Sequence, residues 1–191
     1  MRKLVLQEFV SLDGLATGPN NSVDFIPAST QGDLTFGREQ LDLMSRIDTM
    51  LLGRVTYQMF SGFWPNVTEG AEKDFADKFN AVPKVVFSTT LERAPWGSWD
   101  PGRIVGSDPV AEVTKLKREP GKDILLSGSL TIAQLLIDAK LVDEYRLVLC
   151  PVVLGGGRSL FREKSPSIPL TVVNASKLDR GAVSLVYFPR K

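Results

Sequence analysis

Histidine is absent from this 191-residue chain. That one absence removes Ser-His-Asp and Cys-His nucleophilic chemistry, and with it nearly every common zinc site. Acid–base work falls to carboxylates, tyrosine, lysine, water or the substrate itself. The one cysteine, Cys150, sits in an apolar run, so no disulfide forms within the chain and the thiol reads as buried and inert. Excess charge is missing too: 23 basic residues against 22 acidic ones leave no stripe suited to nucleic acid or an anionic membrane. Met1-Arg2-Lys3 precedes an apolar stretch, but Gln7 and Glu8 cut it too short for a signal sequence, and no run approaches a membrane span. These absences predict a cytoplasmic protein with no metal, nucleic-acid or membrane partner.

What is present is 43% apolar residues, enough in a chain of this length to bury a core, and a single domain over 1–191 is expected. Leu4 to Val10 reads as a first strand, closing on Ser11-Leu12-Asp13-Gly14. A loop of about twenty residues, Ala16 to Thr35, rich in Gly, Pro, Asn and Ser, follows it; loops of that length are often functional. Leu41, Met44 and Ile47 stand at helical spacing and predict a helix from Gly37 to Arg46. Further strands are expected at Thr49–Leu52, Val85–Phe87, Arg103–Val105, Asp123–Leu126 and Asp143–Pro151. Helices are expected around Phe75 and Phe79, after Asp108-Pro109, and from Leu130 to Ala139. Two late strands, Leu170–Leu178 and Ala182–Phe188, meet at the turn Asp179-Arg180-Gly181. Strand–helix alternation followed by strand after strand implies an α/β fold. The expected sheet is mixed and mostly parallel, with helices on both faces and an antiparallel C-terminal hairpin.

The stretch with the most chemistry is Met50-Leu51-Leu52-Gly53-Arg54-Val55-Thr56-Tyr57. It reads as a strand that turns at Gly53 straight into a helix, whose first amides lack internal partners and carry the positive end of the dipole. With Arg54 and Thr56 beside them, those amides make a phosphate seat, or else an ordinary junction with a solvated arginine. Ser88 and Gly128 also fall at strand ends, and ligands of such sheets bind beyond the carboxyl ends of the strands.

Six pieces carry a resemblance: Ser11-Leu12-Asp13-Gly14, Leu52-Gly53-Arg54-Val55-Thr56-Tyr57, Val86-Phe87-Ser88-Thr89-Thr90, Leu126-Ser127-Gly128-Ser129, Leu141-Val142-Asp143-Glu144 and Pro151-Val152-Val153-Leu154-Gly155-Gly156-Gly157. In this order the chain resembles the dihydrofolate-reductase-like superfamily, with its three-layer fold, and most of all the branch holding the reductase domain of the bifunctional riboflavin-biosynthesis enzyme. The resemblance implies NADPH as cofactor, without the Rossmann glycine fingerprint, which is absent here. It implies that Gly53, Arg54, Val55 and Thr56 hold phosphates, that Ser88 and Thr89 lie by the adenosine ribose and its 2′-phosphate, and that Gly128, Ser129, Leu130 and Thr131 approach the pyrophosphate. The chain departs from the family at Ser127-Gly128-Ser129, where two or more glycines are usual, and at Leu130, near which folate reductases often carry a basic residue. Arg54 is then the main 2′-phosphate candidate.

The implied reaction is hydride transfer from nicotinamide to a C=N or C=O carbon of a pterin-like or ribosylamino-pyrimidine-like molecule. The alternative is a non-catalytic nucleotide-binding or interaction module that retains the fold. Asp33 is the nearest match to the carboxylate that grips the pterin ring, or a helix cap. Asp13 is the riboflavin-branch alternative, or a turn residue. Phe25, Phe36, Met59 and Phe60 either wall a substrate pocket or belong to the core, and Gly155 and Gly156 either lie near the substrate or form a tight turn. The chain has neither the length nor the ligands for the zinc deaminase domain of the bifunctional enzyme. A homodimer is also implied, the C-terminal strands being an edge in need of cover.

Overall fold

In the computed structural model, which describes residues 1–190, strands and helices alternate along the chain in the expected order. They are β1 (Leu4–Ser11), β2 (Leu15–Thr17), α1 (Phe25–Thr30), α2 (Leu34–Ser45), β3 (Ile47–Gly53), α3 (Arg54–Phe63), α4 (Lys73–Ala81), β4 (Lys84–Phe87), β5 (Arg103–Val105), α5 (Pro109–Arg118), β6 (Asp123–Ser127), α6 (Leu130–Asp138), β7 (Glu144–Cys150), β8 (Arg158–Ser159), β9 (Leu170–Lys177) and β10 (Val183–Pro189). Eight strands form one sheet in the order β5-β4-β3-β6-β1-β7-β10-β9, while β2 and β8 pair separately. The first six run parallel, and β10 is antiparallel to both β7 and β9.

Burial explains the layering. Side chains alternate across a strand, and β1 is buried on both faces, as parallel strands are. Leu4, Leu6 and Val10 join Val113 and Leu116 of α5 and Leu130, Ala133 and Leu136 of α6 on one face. Val5 joins Leu43 and Met44 of α2, Tyr57 of α3 and Phe79 of α4 on the other. The mixed sheet with helices on both faces and a closing antiparallel hairpin therefore forms as the sequence implies. Cys150 is fully buried, and burial pushes its thiol pKa up.

The long segment after β1 corrects an expectation. It contains β2 and the helix α1, and α2 begins at Leu34 rather than Gly37. Phe25 is drawn into an apolar cluster with Val148, Cys150 and Leu178, and Ile26 packs against it. The Ser29 and Thr30 hydroxyls donate to the carbonyls of Phe25 and Ile26, 2.7 and 2.9 Å away, satisfying a six-residue helix too short to show a period.

The amino ends of the strands are stitched by ion pairs: Arg2 to Asp48, Arg46 to Asp123 and Glu144, and Lys117 to Asp143. Among the described residues no helix is long and apolar enough to cross a membrane, and no group of His, Cys, Asp or Glu is arranged to hold a metal ion.

Candidate functional site

The carboxyl ends of β4, β3 and β6, adjacent in the sheet, bring the three predicted phosphate and ribose segments together. At the first junction Gly53 ends β3 and α3 starts at once, with no side chain capping its amides. At the second, β6 ends on Ser127 and the chain passes through Gly128 and Ser129, both at φ +62°, into α6. The two junctions are bonded to each other. The Gly53 amide donates to Ser129 Oγ at 2.7 Å, and the Ser129 amide donates to Thr56 Oγ1 at 3.0 Å. Glycine is favoured at 128, because a Cβ there would lie a tight 3.1 Å from Thr56 Cγ2 in a left-handed backbone.

Ser129 follows Gly128 in the same left-handed conformation. A left-handed serine costs about 1 kcal/mol. Its hydroxyl and amide bonds to the Gly53 junction offset that cost and fix the two helix starts side by side. The amides of Arg54, Val55, Leu130 and Thr131 are left open by the geometry of a helix start. Arg54 and Thr131 are exposed, whereas Thr56 and Leu130 are buried beneath them. Among the described residues Arg54 has only a 3.5 Å contact to Gln58 Oε1, so its guanidinium is uncommitted.

Ser88 directly follows β4, beside Gly53 across the strand pair. Its hydroxyl accepts from the amides of Thr90 and Leu91 at 3.2 and 3.0 Å, closing a turn that leaves Thr89 exposed. One residue that sequence reasoning missed stands at the same place. Arg158, exposed on β8, reaches Thr131 Oγ1 at 3.4 Å and brings a second guanidinium to the start of α6. Its position directly after the triple glycine was the available signal.

Beyond β1 and β7 lies the predicted substrate side. Asp13 is exposed, yet both its oxygens are engaged: it accepts from Ser11 Oγ at 2.6 Å and from the amides of Leu154 and Gly155 at 3.1 and 2.8 Å. The Ser11 hydroxyl and these two amides lower its pKa to about 2. Asp13 thus pins the glycine loop as a standing anion. Gly157 packs so closely that a Cβ would fall 1.8 Å from the Thr17 carbonyl oxygen. Asp33 caps α2, accepting from the Phe36 amide at 2.8 Å, and its other oxygen accepts from the Arg180 amide at 2.9 Å. It ties α2 to the β9–β10 turn.

The aromatic candidates divide between two places. Phe25 and Phe36 belong with Val148 and Cys150, Phe36 standing edge-on to Phe9 at 5.8 Å. Phe60 packs edge-on against Phe79 at 5.5 Å on the far side of α3, while Met59 is exposed. Exposed apolar side chains gather along this edge: Leu12, Leu34, Val55 and Val153 are 64%, 70%, 69% and 66% accessible, each just past a strand end or at a helix start. By contrast, a cleft of about 400 Å³ at the amino edge, lined by Arg2, Lys84, Asp100 and Arg103 among others, has its cations spent. Arg2 is bonded to Asp48, Arg103 to Glu112, and Lys84 to the carbonyls ending α4.

Comparison with known proteins finds relatives along nearly the whole chain. The family model described as "RibD C-terminal domain" matches residues 2–184. The uncharacterized protein YyaP of Bacillus subtilis (strain 168) is 33% identical over 187 residues, 97% of this chain and 94% of that one. Two solved structures share the fold. A pyrimidine reductase-like protein from Corynebacterium diphtheriae superposes with a TM-score of 0.73 at 15% identity, over 100% of this chain and 92% of that one. Dihydrofolate reductase from Enterococcus faecalis, complexed with NADP(H), superposes with a TM-score of 0.63 at 15% identity, over 99% and 97%.

Proposed function

The chain belongs to the RibD C-terminal domain family, and from that premise we propose that it is an NADPH-dependent reductase acting on a small heterocycle. The proposed reaction moves a hydride to a C=N or C=O carbon of a pterin-like or ribosylamino-pyrimidine-like molecule. The observation that carries the proposal is the pair of hydrogen bonds joining the β3–α3 and β6–α6 junctions. They hold two sets of open helix-start amides side by side, which suits a pyrophosphate, and Gly128, whose Cβ would press on Thr56, permits that close contact of the two junctions. Gly53, Arg54, Val55 and Thr56 then hold phosphate with Gly128, Ser129, Leu130 and Thr131, while Ser88 and Thr89 serve the adenosine ribose. Arg54 is the 2′-phosphate partner, as the uncommitted guanidinium of the cradle.

When bound, the reduced nicotinamide supplies the hydride. The chain's own residues hold and orient it and exclude water. In this proposal the substrate lies past the ends of β1 and β7. It is bordered by Gly155 and Gly156 of the pinned loop, by Asp13 and Asp33, and by Phe25 and Phe36, with the exposed Met59 of α3 toward the cofactor side; Phe60, packed on Phe79, stays in the core. The proposal extends to a cytoplasmic homodimer: β9 is an edge strand with Val172 and Val173 exposed, a surface that a second copy would cover.

A non-catalytic nucleotide-binding module is the second reading, favoured by the full engagement of Asp13 and Asp33 with backbone amides. Two measurements divide the possibilities. NADPH well above its Kd should raise the melting temperature, since a ligand bound only by the folded state stabilises it by a few kcal/mol. Loss of nicotinamide absorbance with a panel of pterins and ribosylaminopyrimidines should then report turnover. Stabilisation without turnover on any of them favours the module. No stabilisation by millimolar NADPH sinks the reductase and favours a non-catalytic interaction module that retains the fold.

A further inference from the structure

One buried ionisable group is used by nothing described so far. Glu8 lies on β1, the strand beside β6, and is only 5% accessible. Among the described residues its Oε1 has no hydrogen-bond partner. Its neighbour Gln7, equally buried, is fully engaged: Gln7 and Gln40 exchange amide bonds at 2.8 and 3.2 Å on the opposite face. Glu8 therefore points to the face that α6 covers, between Leu6 and Val10. Along the sheet it is level with the cradle, for the Gly128 amide donates to the Gln7 carbonyl at 3.3 Å and Leu147 is its register partner on β7. One strand spacing, about 4.8 Å, separates its backbone from the turn that starts α6.

We propose that Glu8 is the proton store of the cradle, and that occupation of the cradle by a dinucleotide drives proton uptake by this carboxyl. The inference rests on the nucleotide-binding reading given above. Burial raises the Glu8 pKa from 4.5 to about 8, outweighing a backbone hydrogen bond at Phe9 that lowers it. The surrounding elements offer nothing to neutralise an anion there. On this face β6 supplies Leu126, β7 supplies Tyr145 and Leu147, and α6 supplies Leu130, Ala133 and Leu136. Burial keeps Tyr145 neutral, its pKa raised to about 12. The charged side chains that reach α6 from beyond it are Arg162, paired with Asp138 at its end, and Arg158, exposed and 3.4 Å from Thr131 Oγ1 at its start, where it meets the same phosphate. Phosphate charge arriving at the start of α6 disfavours a second anion beneath it, so the carboxylate takes a proton from solvent and becomes the neutral acid.

Isothermal titration calorimetry with NADPH at pH 8, in Tris and again in HEPES, measures the uptake directly, because the two buffers release protons with different heats. The wild-type chain should take up a fraction of a proton, at most roughly half at a pH near the pKa. Glu8→Gln should bind NADPH with buffer-independent heat. Binding with the same heat in both buffers for the wild type overturns the inference while leaving nucleotide binding intact, and so does uptake that persists in Glu8→Gln. Absence of any NADPH binding overturns the cradle and this inference together. Should Glu8→Gln not fold, Glu8→Leu is the second variant, and the wild-type buffer comparison decides on its own.

Discussion

The two edges of the main sheet are built on opposite rules. At the amino edge nearly every charge is answered within the chain: Arg46 spans Asp123 and Glu144, Arg2 meets Asp48, and Lys117 meets both Asp143 and the Leu141 carbonyl. At the carboxyl edge open amides, the uncommitted Arg54, exposed Leu12, Val55 and Val153, a left-handed Ser129 and the buried Glu8, whose Oε1 has no partner, lie within a few strands of one another. One edge contributes stability. The other gives it up to keep donors free, the usual mark of a site meant to receive something.

Breaking the amino edge should have the largest effect, and it should be on stability alone. Glu144, buried, accepts from Arg46 and stands in an ion pair with Arg146 at 3.5 Å. Glu144→Ala leaves those guanidiniums without it and should cost about 3–5 kcal/mol in chemical denaturation, with NADPH affinity of the folded fraction unchanged. A loss of affinity without loss of stability would mean the edges are not separable in this way.

The next effect runs the other way and depends on pH. The Glu8 pKa is raised in the folded state from 4.5 to about 8, so the folded chain holds its proton more tightly than the unfolded one. Stability from this group is therefore complete below about pH 4.5 and lost as pH climbs toward 8, the reverse of an ion-paired carboxylate. Relative to Glu8→Gln, the wild type should lose on the order of 3 kcal/mol between pH 5 and 8. Parallel stability–pH curves for the two proteins would show that Glu8 is not held neutral.

Sequence alone displayed much of this contrast. Gly53, Ser88 and Gly128 could be placed at strand ends because apolar runs stop there and helix patterns begin. The hairpin turn at Asp179-Arg180-Gly181 and the cap at Asp108-Pro109 were equally plain. What stayed hidden depends on contacts distant in the chain. The helix α1 is held by a cluster with β7, and it lies inside a stretch whose composition says loop. Asp33 looked like either a cap or a ring-gripping carboxylate; the cap is visible, and its second bond, to Arg180, lies 147 residues away. Phe25, Phe36 and Phe60 show the limit of reading aromatics by type, since two clusters divide them. Glu8 seemed only an interruption of an apolar run, because its burial is decided by α6 and β7.

Smaller changes sharpen the contrast at the cradle. Arg54→Ala should lower NADPH affinity about 10- to 100-fold, the value of a charge-assisted contact of about 1.5–3 kcal/mol. NADH affinity should fall much less, and the melting temperature should hardly move. An unchanged NADPH-to-NADH ratio would remove Arg54 from the 2′-phosphate. Ser129→Ala keeps the left-handed strain and loses the bond to the Gly53 amide, so it should cost about 1 kcal/mol. Ser129→Gly loses the same bond but relieves the strain and should be close to neutral in a thermal melt. Equal losses in the two variants would mean that the Ser129 backbone stores no strain.

The most direct test of the shared cradle is amide hydrogen exchange, followed residue by residue by NMR, with and without saturating NADPH. The amides of Val55, Leu130 and Thr131, open at the starts of α3 and α6, should slow together when the cofactor binds. NADPH that binds while these amides exchange as fast as before, or that protects only one of the two helix starts, would contradict a single nucleotide site built from both junctions.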